Sequence, residues 1–280
     1  MFVGSDMRHS VKIFSRIGEL IQGILPDGSP FLVSGLPSRT LFSEVTLEEG
    51  VGVVLPPKAL RAVEYFQAEY APHLDLSGLC FRLQTNIPPG KGLSSSSADI
   101  LGVLSVLNKA LQTGLSNAQL YTLAVRIEPT DPCLHEEIVL FRQQEGRAEQ
   151  LLTLPPLSMV WFDTAPDRQV DTVTLLRSYN KEAPAFFDSL LRSFLQAAAE
   201  QDYPVLLDCI TQSALYNQSI LALPHFEVLY RLALRMKAGL LIAHSGTIAG
   251  LLASPDREPE LLNTIREMDW PYSSLQTPAI

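Results

Sequence analysis

The chain has 280 residues, 46% hydrophobic and 18% charged, with a formal net charge of −9. That acidity excludes a cationic surface built to neutralise a nucleic-acid backbone, and it is the ordinary state of a cytoplasmic protein. Three cysteines (Cys80, Cys133, Cys209), odd in number, widely spaced and without a CxxC, exclude a disulfide scaffold or a zinc ribbon and fit free thiols in a reducing compartment.

The first nine residues read as a loose tail without the apolar core of a signal peptide, and no run of 18 apolar residues predicts a membrane span. SVKIFSRIGELIQGIL reads as one or two short strands around Gly18. LVSGLPSRTLFSEVTLEEGVGVVLPP alternates apolar and polar residues between Gly and Pro breaks, again strands. PKALRAVEYFQAEY has apolar residues at helical spacing behind a first-turn proline. LCFRLQTNIP reads as a strand. Residues 95–112 and 116–127 read as helices, the second with Ser116 as N-cap. EIVLF and LSMVWFD read as strands. Beyond them, helices are predicted over 182–201, 203–216 and 224–238, then a short strand in GLLIAHSG, a glycine-bearing turn, and a last helix near 257–268. Strands and helices mix without strict βαβ alternation, which predicts an α+β fold. The break near 148–156 divides the chain into 1–150 and 151–280.

Residues 88–98, PPGKGLSSSSA, carry the chemistry. Gly90 and Gly92 let the backbone approach a ligand closely. The serines open a helix whose first N–H groups have no partner within it, and those groups and the helix dipole together suit a phosphate. Lys91 adds a positive charge, and the serine hydroxyls are donors to phosphate oxygens or oxygen ligands for Mg²⁺. The helix behind them, ADILGVLSVLNKAL, is apolar on most faces, the mark of a buried helix. A plain glycine turn with a serine cap fits the same residues. Neither GxxxxGK[ST] nor GxGxxG is present. LHEEIVLF, with His135, Glu136 and Glu137, is not HExxH and gives no support to a zinc site.

PPGKGLSSSSA resembles the phosphate-binding motif P-x-x-x-G-L-G-S-S-A-A of the GHMP small-molecule kinases. Pro88, Gly92, Leu93, Ser95, Ser96 and Ala98 match, while Ser94 stands where the motif has glycine and Ser97 where it has alanine. GELIQG at 18–23, EPTD at 128–131 and AHSGTIAGLL at 243–252, in that order, resemble the L-threonine kinases of cobalamin synthesis and propanediol utilisation. The resemblance spans roughly residues 12 to 255. It implies a two-domain α+β fold with ATP and substrate between the domains. It also implies transfer of the γ-phosphate to the side-chain hydroxyl of L-threonine for the cobalamin side chain. The alternatives are another small alcohol (serine, homoserine or an isoprenoid alcohol) and a nucleotide-binding protein without catalysis.

The resemblance, together with the placement of the charged side chains along these stretches, gives candidate roles. Asp131 is the candidate base and Arg16 a candidate orienting cation. Pro89, Gly90, Lys91, Gly92, Leu93, Ser94, Ser95, Ser96 and Ser97 form the ATP loop. Ser96, Asp99 and Glu128 are candidates for Mg²⁺. Glu19, Gln22, His244, Ser245, Gly246 and Thr247 are placed at the substrate cleft, with His244 in a positioning role. Each has a plainer reading: Asp131 caps a Pro-Thr-Asp-Pro turn, Arg16 is a solvated charge, and Asp99 and Glu128 are helix-end charges. The L-threonine kinases have a Pro-Ala-Ser-Cys run before their GEL, whereas this chain reads FSRIGEL, a departure beside the substrate position. The partner implied is a small-molecule alcohol, with a homodimer left open.

Overall fold

The computed structural model describes residues 8–73, 75, 78–169, 179–243, 245–267 and, for the backbone alone, 273–276. Within them lie ten strands and seven helices: β1 (Arg8–Ile24), β2 (Pro30–Glu49), β3 (Gly52–Val54), α1 (Pro57–Tyr70), β4 (Leu79–Thr85), α2 (Ser95–Leu111), α3 (Asn117–Val125), β5 (Ile138–Arg142), β6 (Arg147–Leu152), β7 (Ser158–Asp163), α4 (Ala183–Glu200), α5 (Tyr203–Gln218), α6 (Phe226–Met236), β8 (Gly239–Ile242), β9 (Ile248–Ala253), α7 (Glu258–Arg266) and β10 (Ser273–Gln276). The α+β expectation holds. The strands form one mixed sheet in the order β10-β7-β9-β8-β1-β2-β4-β3, with β5 and β6 branching from β2. The N-terminal half supplies β1–β6 and the C-terminal half β7–β10. They meet where Glu19 of β1 pairs with Ile242 of β8.

β1 is longer than its sequence predicts. It runs through Gly18 as one antiparallel partner of β2, with register shifts between Phe14 and Arg16 and between Glu19 and Ile21. Gly18 has φ +57°, and a Cβ there would lie 2.4 Å from a Leu241 methyl. Glycine is therefore what lets β1 turn its edge against β8. Arg8 and His9, read as tail, are already in β1.

α2 is the axis of the N-terminal half. Ile100, Leu101, Val103, Leu104, Val106 and Leu107 are all buried. Each contributes roughly 1.5–3 kcal/mol relative to exposure. Gly102 brings the helix onto the sheet, since a Cβ there would stand 2.8 Å from a Val45 methyl. α4 and α5 pack on β1, while α6 and α7 build a second apolar cluster with β7–β9 around Leu229, Leu240, Leu251 and Ile265. The segment read as a domain break contains β6, which pairs with β5. β9, IAGLLA, lies where the sequence predicts a glycine turn: six buried residues in a row carry no period by which to recognise a strand.

Candidate active site

A cleft of about 920 Å³ opens at the N-terminus of α2, a size suited to a small-molecule ligand. One wall is the 89–97 loop and first turn. It is clamped from both halves of the chain. The Gly18 N–H donates to the Gly92 carbonyl at 3.4 Å, and the Thr247 and Ile248 N–H groups converge on the Lys91 carbonyl at 3.1 and 3.2 Å. The Ser15 hydroxyl donates to the Leu93 carbonyl at 2.9 Å. Gly246 sits directly on the loop, since a Cβ there would lie 2.1 Å from the Lys91 carbonyl carbon. Ser94 enters the helix with φ +57° and ψ +27°, and its side chain caps nothing. The N-terminal N–H groups of α2 thus meet the cleft with no side chain capping them, the arrangement an anion requires.

Asp131 lines the same cleft. Its Oδ1 accepts from Gln143 Nε2 at 2.7 Å. Its backbone N–H donates to Ser97 Oγ at 3.0 Å, and the Ser97 hydroxyl in turn points to Oδ2 at 3.5 Å. Burial raises its pKa above the ordinary carboxylate value, with the Glu128 charge adding to the rise; hydrogen bonds from Ser94, Gln143 and Ser97 oppose it. The Cys133 thiol behind it is pushed up to about 12 by burial and by the Asp131 charge.

Ser96 and Glu128 meet: the serine hydroxyl donates to Glu128 Oε1, and Oε2 takes the Lys58 ammonium at 2.5 Å. Asp99, one turn into α2, lines the cleft but accepts from Ser43 Oγ at 2.6 Å, and burial raises its pKa. Among the described residues no group of three or more His, Cys, Asp or Glu side chains is placed to hold a metal ion. A divalent ion here would rest on Ser96, Glu128 and ligand oxygens, a donor set of the kind Mg²⁺ accepts.

Other predicted residues stand elsewhere. Lys91 is 6% exposed and turns its ammonium away from the cleft. It pairs with Asp163 at 2.8 Å and donates to the carbonyls of Ala165, Pro166 and Arg168. It is a brace under the loop, because a buried ammonium needs that many acceptors. Arg16 is buried, not solvated, and is not among the cleft-lining residues. It donates to the carbonyls of His135 and Glu137 and faces Ser34 and Gly35. Burial lowers its pKa, and the fields of Cys133, Tyr121, Glu137 and Asp131 oppose the change. Arg16 thereby staples the segment that follows Asp131 to β1 and β2. Glu19 lines the cleft. Gln22 does not: its amide donates to the Ile242 carbonyl at 3.3 Å, its backbone binds Ser213 and Asn217, and Oε1 has no partner among the described residues. Ser245 lines the cleft; Thr247 is buried with its hydroxyl on Asp163 at 2.5 Å. His244 lies outside the described residues. Gln143, Gln144, Lys58 and Tyr179 also line the cleft, and sequence reading did not single them out. Lys58 had a signal, a cation at the second position of a helix with no acid in its first turn. Gln143 had none.

A buried helix whose open end and a carboxylate face one cleft, clamped between two halves of an α+β chain, sets an anion site beside a proton acceptor. Residues 57–134 match the family described as GHMP kinases N terminal domain. The chain is 28% identical over 247 residues to an L-threonine kinase of Citrobacter freundii, covering 86% of this chain and 84% of that one. It is 29% identical over 180 residues to an L-threonine kinase of Salmonella typhimurium, covering 62% of this chain and 60% of that protein. The mevalonate kinase of Methanococcus jannaschii shares the fold with a TM-score of 0.72 at 13% identity, covering 99% of both chains. The chain is thus similar to the GHMP kinases over residues 57–134 and, more widely, to proteins named as L-threonine kinases.

Proposed function

We propose that the protein transfers the γ-phosphate of ATP to the side-chain hydroxyl of L-threonine, giving O-phospho-L-threonine. The observation that carries this reading is the pairing of Asp131 with the first turn of α2 across one cleft. The likeness to two L-threonine kinases chooses the alcohol.

Phosphoryl transfer needs the acceptor hydroxyl held in line with the phosphorus and little else from the protein besides charge stabilisation. Asp131 accepts the hydroxyl proton. Gln143 and Ser97 fix its orientation, and Arg16 holds the segment that carries it. The N–H groups at Ser95–Ser97 hold the β- and γ-phosphates, with Gly90 and Gly92 giving the close approach. Ser96 and Glu128 would hold Mg²⁺, which would supply positive charge beside the phosphate oxygens. Glu19, Ser245 and Gly246 shape the acceptor end, and residues 1–150 and 151–280 act as the two domains around it.

A second reading, the same transfer to a different small alcohol, draws on the FSRI segment that replaces Pro-Ala-Ser-Cys beside Glu19. One panel separates the two. The protein is incubated with Mg·ATP and, in turn, threonine, serine, homoserine and mevalonate, and ADP is followed. Turnover greatest with threonine and lost in Asp131→Asn supports the first reading. Turnover with another alcohol and none with threonine supports the second. ATP binding without turnover on any alcohol contradicts both.

A further inference from the structure

The phosphate site has a charge problem. Glu19, Asp99, Glu128 and Asp131 are the acids among the described residues that line the cleft, and Lys58 is the single base among them. The lysine inside the phosphate loop does not help, because Lys91 is committed to Asp163 and three carbonyls on the far side. A nucleotide triphosphate arriving at α2 would meet carboxylates before it met a cation.

Lys58 stands where it can correct this. It is in the first turn of α1, directly after Pro57. A cation there opposes the helix dipole, and the first turn of α1 holds no acid to offset it. Helix stability therefore gives no reason for a lysine at this position. Its partner does: Lys58 Nζ lies 2.5 Å from Glu128 Oε2, while Glu128 Oε1 accepts from Ser96 at the mouth of α2. The Glu128 side chain is 6% exposed and the Lys58 side chain 41%. The carboxylate is fixed. The ammonium is on a flexible, partly solvated stem with rotatable donors that can turn to a second acceptor.

We propose that Lys58 is a phosphate-binding residue of the nucleotide site, its ammonium resting on Glu128 in the free protein and moving onto the phosphate oxygens when ATP binds. This rests on the kinase reading. The exchange suits the chemistry at both ends. A buried carboxylate needs a counter-charge before any nucleotide arrives, and the phosphates need the same charge afterwards. Glu128 is then released to a metal ion without being left unpaired.

The test is calorimetric titration of the full chain with two probes in Mg²⁺ buffer, ATP and adenosine. Adenosine reports the base and ribose contacts and ATP adds the phosphates. For Lys58→Met the Kd for ATP is expected to rise by about tenfold or more, the effect of one lost charge-assisted contact, with the Kd for adenosine within twofold of wild type. Lys58→Arg, which keeps the charge, is expected to recover most of the ATP affinity. An unchanged ATP affinity in Lys58→Met overturns the proposal. So does an equal loss for ATP and adenosine, which would mean a change of shape and not of phosphate binding. Failure of the wild-type protein itself to bind ATP would overturn the kinase reading, and is distinguished because it needs no variant.

Discussion

Ser97 and Asp131 are joined twice: the Asp131 backbone N–H donates to Ser97 Oγ at 3.0 Å, and the same hydroxyl faces Asp131 Oδ2 at 3.5 Å. One side chain in the first turn of α2 thus sets both the backbone and the carboxylate of the candidate base relative to the phosphate site. Where the motif of related kinases has alanine, this chain has a hydroxyl that locks the facing segment. Ser97→Ala removes the tie and costs about 1 kcal/mol in denaturant unfolding. Misplacement of a reacting group by an ångström is enough for a loss of roughly 10²-fold. Steady-state kinetics are expected to show kcat falling by about 10- to 100-fold with the KM for ATP little changed.

Asp131 has its pKa raised, first by burial. A base works in its ionised form, so kcat is expected to fall as pH drops through that raised value, placing the acidic limb above the ordinary aspartate value of about 3.9. Stability runs the other way. The folded state favours the protonated carboxyl, so its contribution is fullest at low pH and is lost as pH rises through the folded pKa. Asp131→Asn removes the charge. It is expected to raise Tm at neutral pH while lowering turnover by roughly 10²–10⁴-fold. Thermal melts and pH–rate profiles check both parts; a lower Tm with full activity would contradict them.

Ser94 occupies the left-handed region, φ +57° and ψ +27°, where a residue with a Cβ is strained by about 1 kcal/mol. The motif it resembles has glycine there. Ser94→Gly relieves that strain and also removes a hydrogen bond from the Asp131 carboxylate. The expected outcome is a Tm about 2 °C higher together with an acidic limb of kcat displaced to higher pH. A melt and a pH profile on the same preparation report the two effects separately.

Lys91 and Asp163 form a pair whose lysine side chain is 7% exposed. Lys91→Met leaves the Asp163 carboxylate without its cation and three carbonyls without their donor, and removing one partner of a largely buried pair costs about 3 kcal/mol. Urea unfolding is expected to show that loss. Lys91→Met therefore acts through stability, where Lys58→Met acts through ATP affinity.

Much of the fold was legible because its periodic elements carry their own signals. α1, α2, α4 and α5 lie within two residues of their predicted spans, since each has an apolar repeat and a Pro, Ser or Gly near its boundary. β6 and β9 were not legible. β6 has five exposed residues in six and β9 has six buried ones, so neither alternates, and only pairing with β5 or with β7 and β8 makes them strands. At the site, the glycine–serine loop at the start of α2 is legible from local sequence, and Asp131 from the family resemblance; that Ser96 and Glu128 touch is not. Nor is the direction of a side chain. Lys91 lies in the middle of the motif and points away because β7, seventy residues later, offers Asp163. Arg16 is captured by the carbonyls of His135 and Glu137. Gln143 reaches Asp131 from the turn just past β5. The first two depend on long-range packing that no window of sequence contains, and the third on how the chain turns between residues 131 and 143.

A crystal structure of the protein with Mg²⁺ and a non-hydrolysable ATP analogue examines the phosphate assignment head-on. The terminal phosphates are expected within hydrogen-bonding distance of the Ser95–Ser97 backbone N–H groups, with the Asp131 carboxylate facing the γ-phosphorus across the space left for an alcohol. A triphosphate bound away from the first turn of α2, or an Asp131 turned away from its terminal phosphorus, would contradict the assignment.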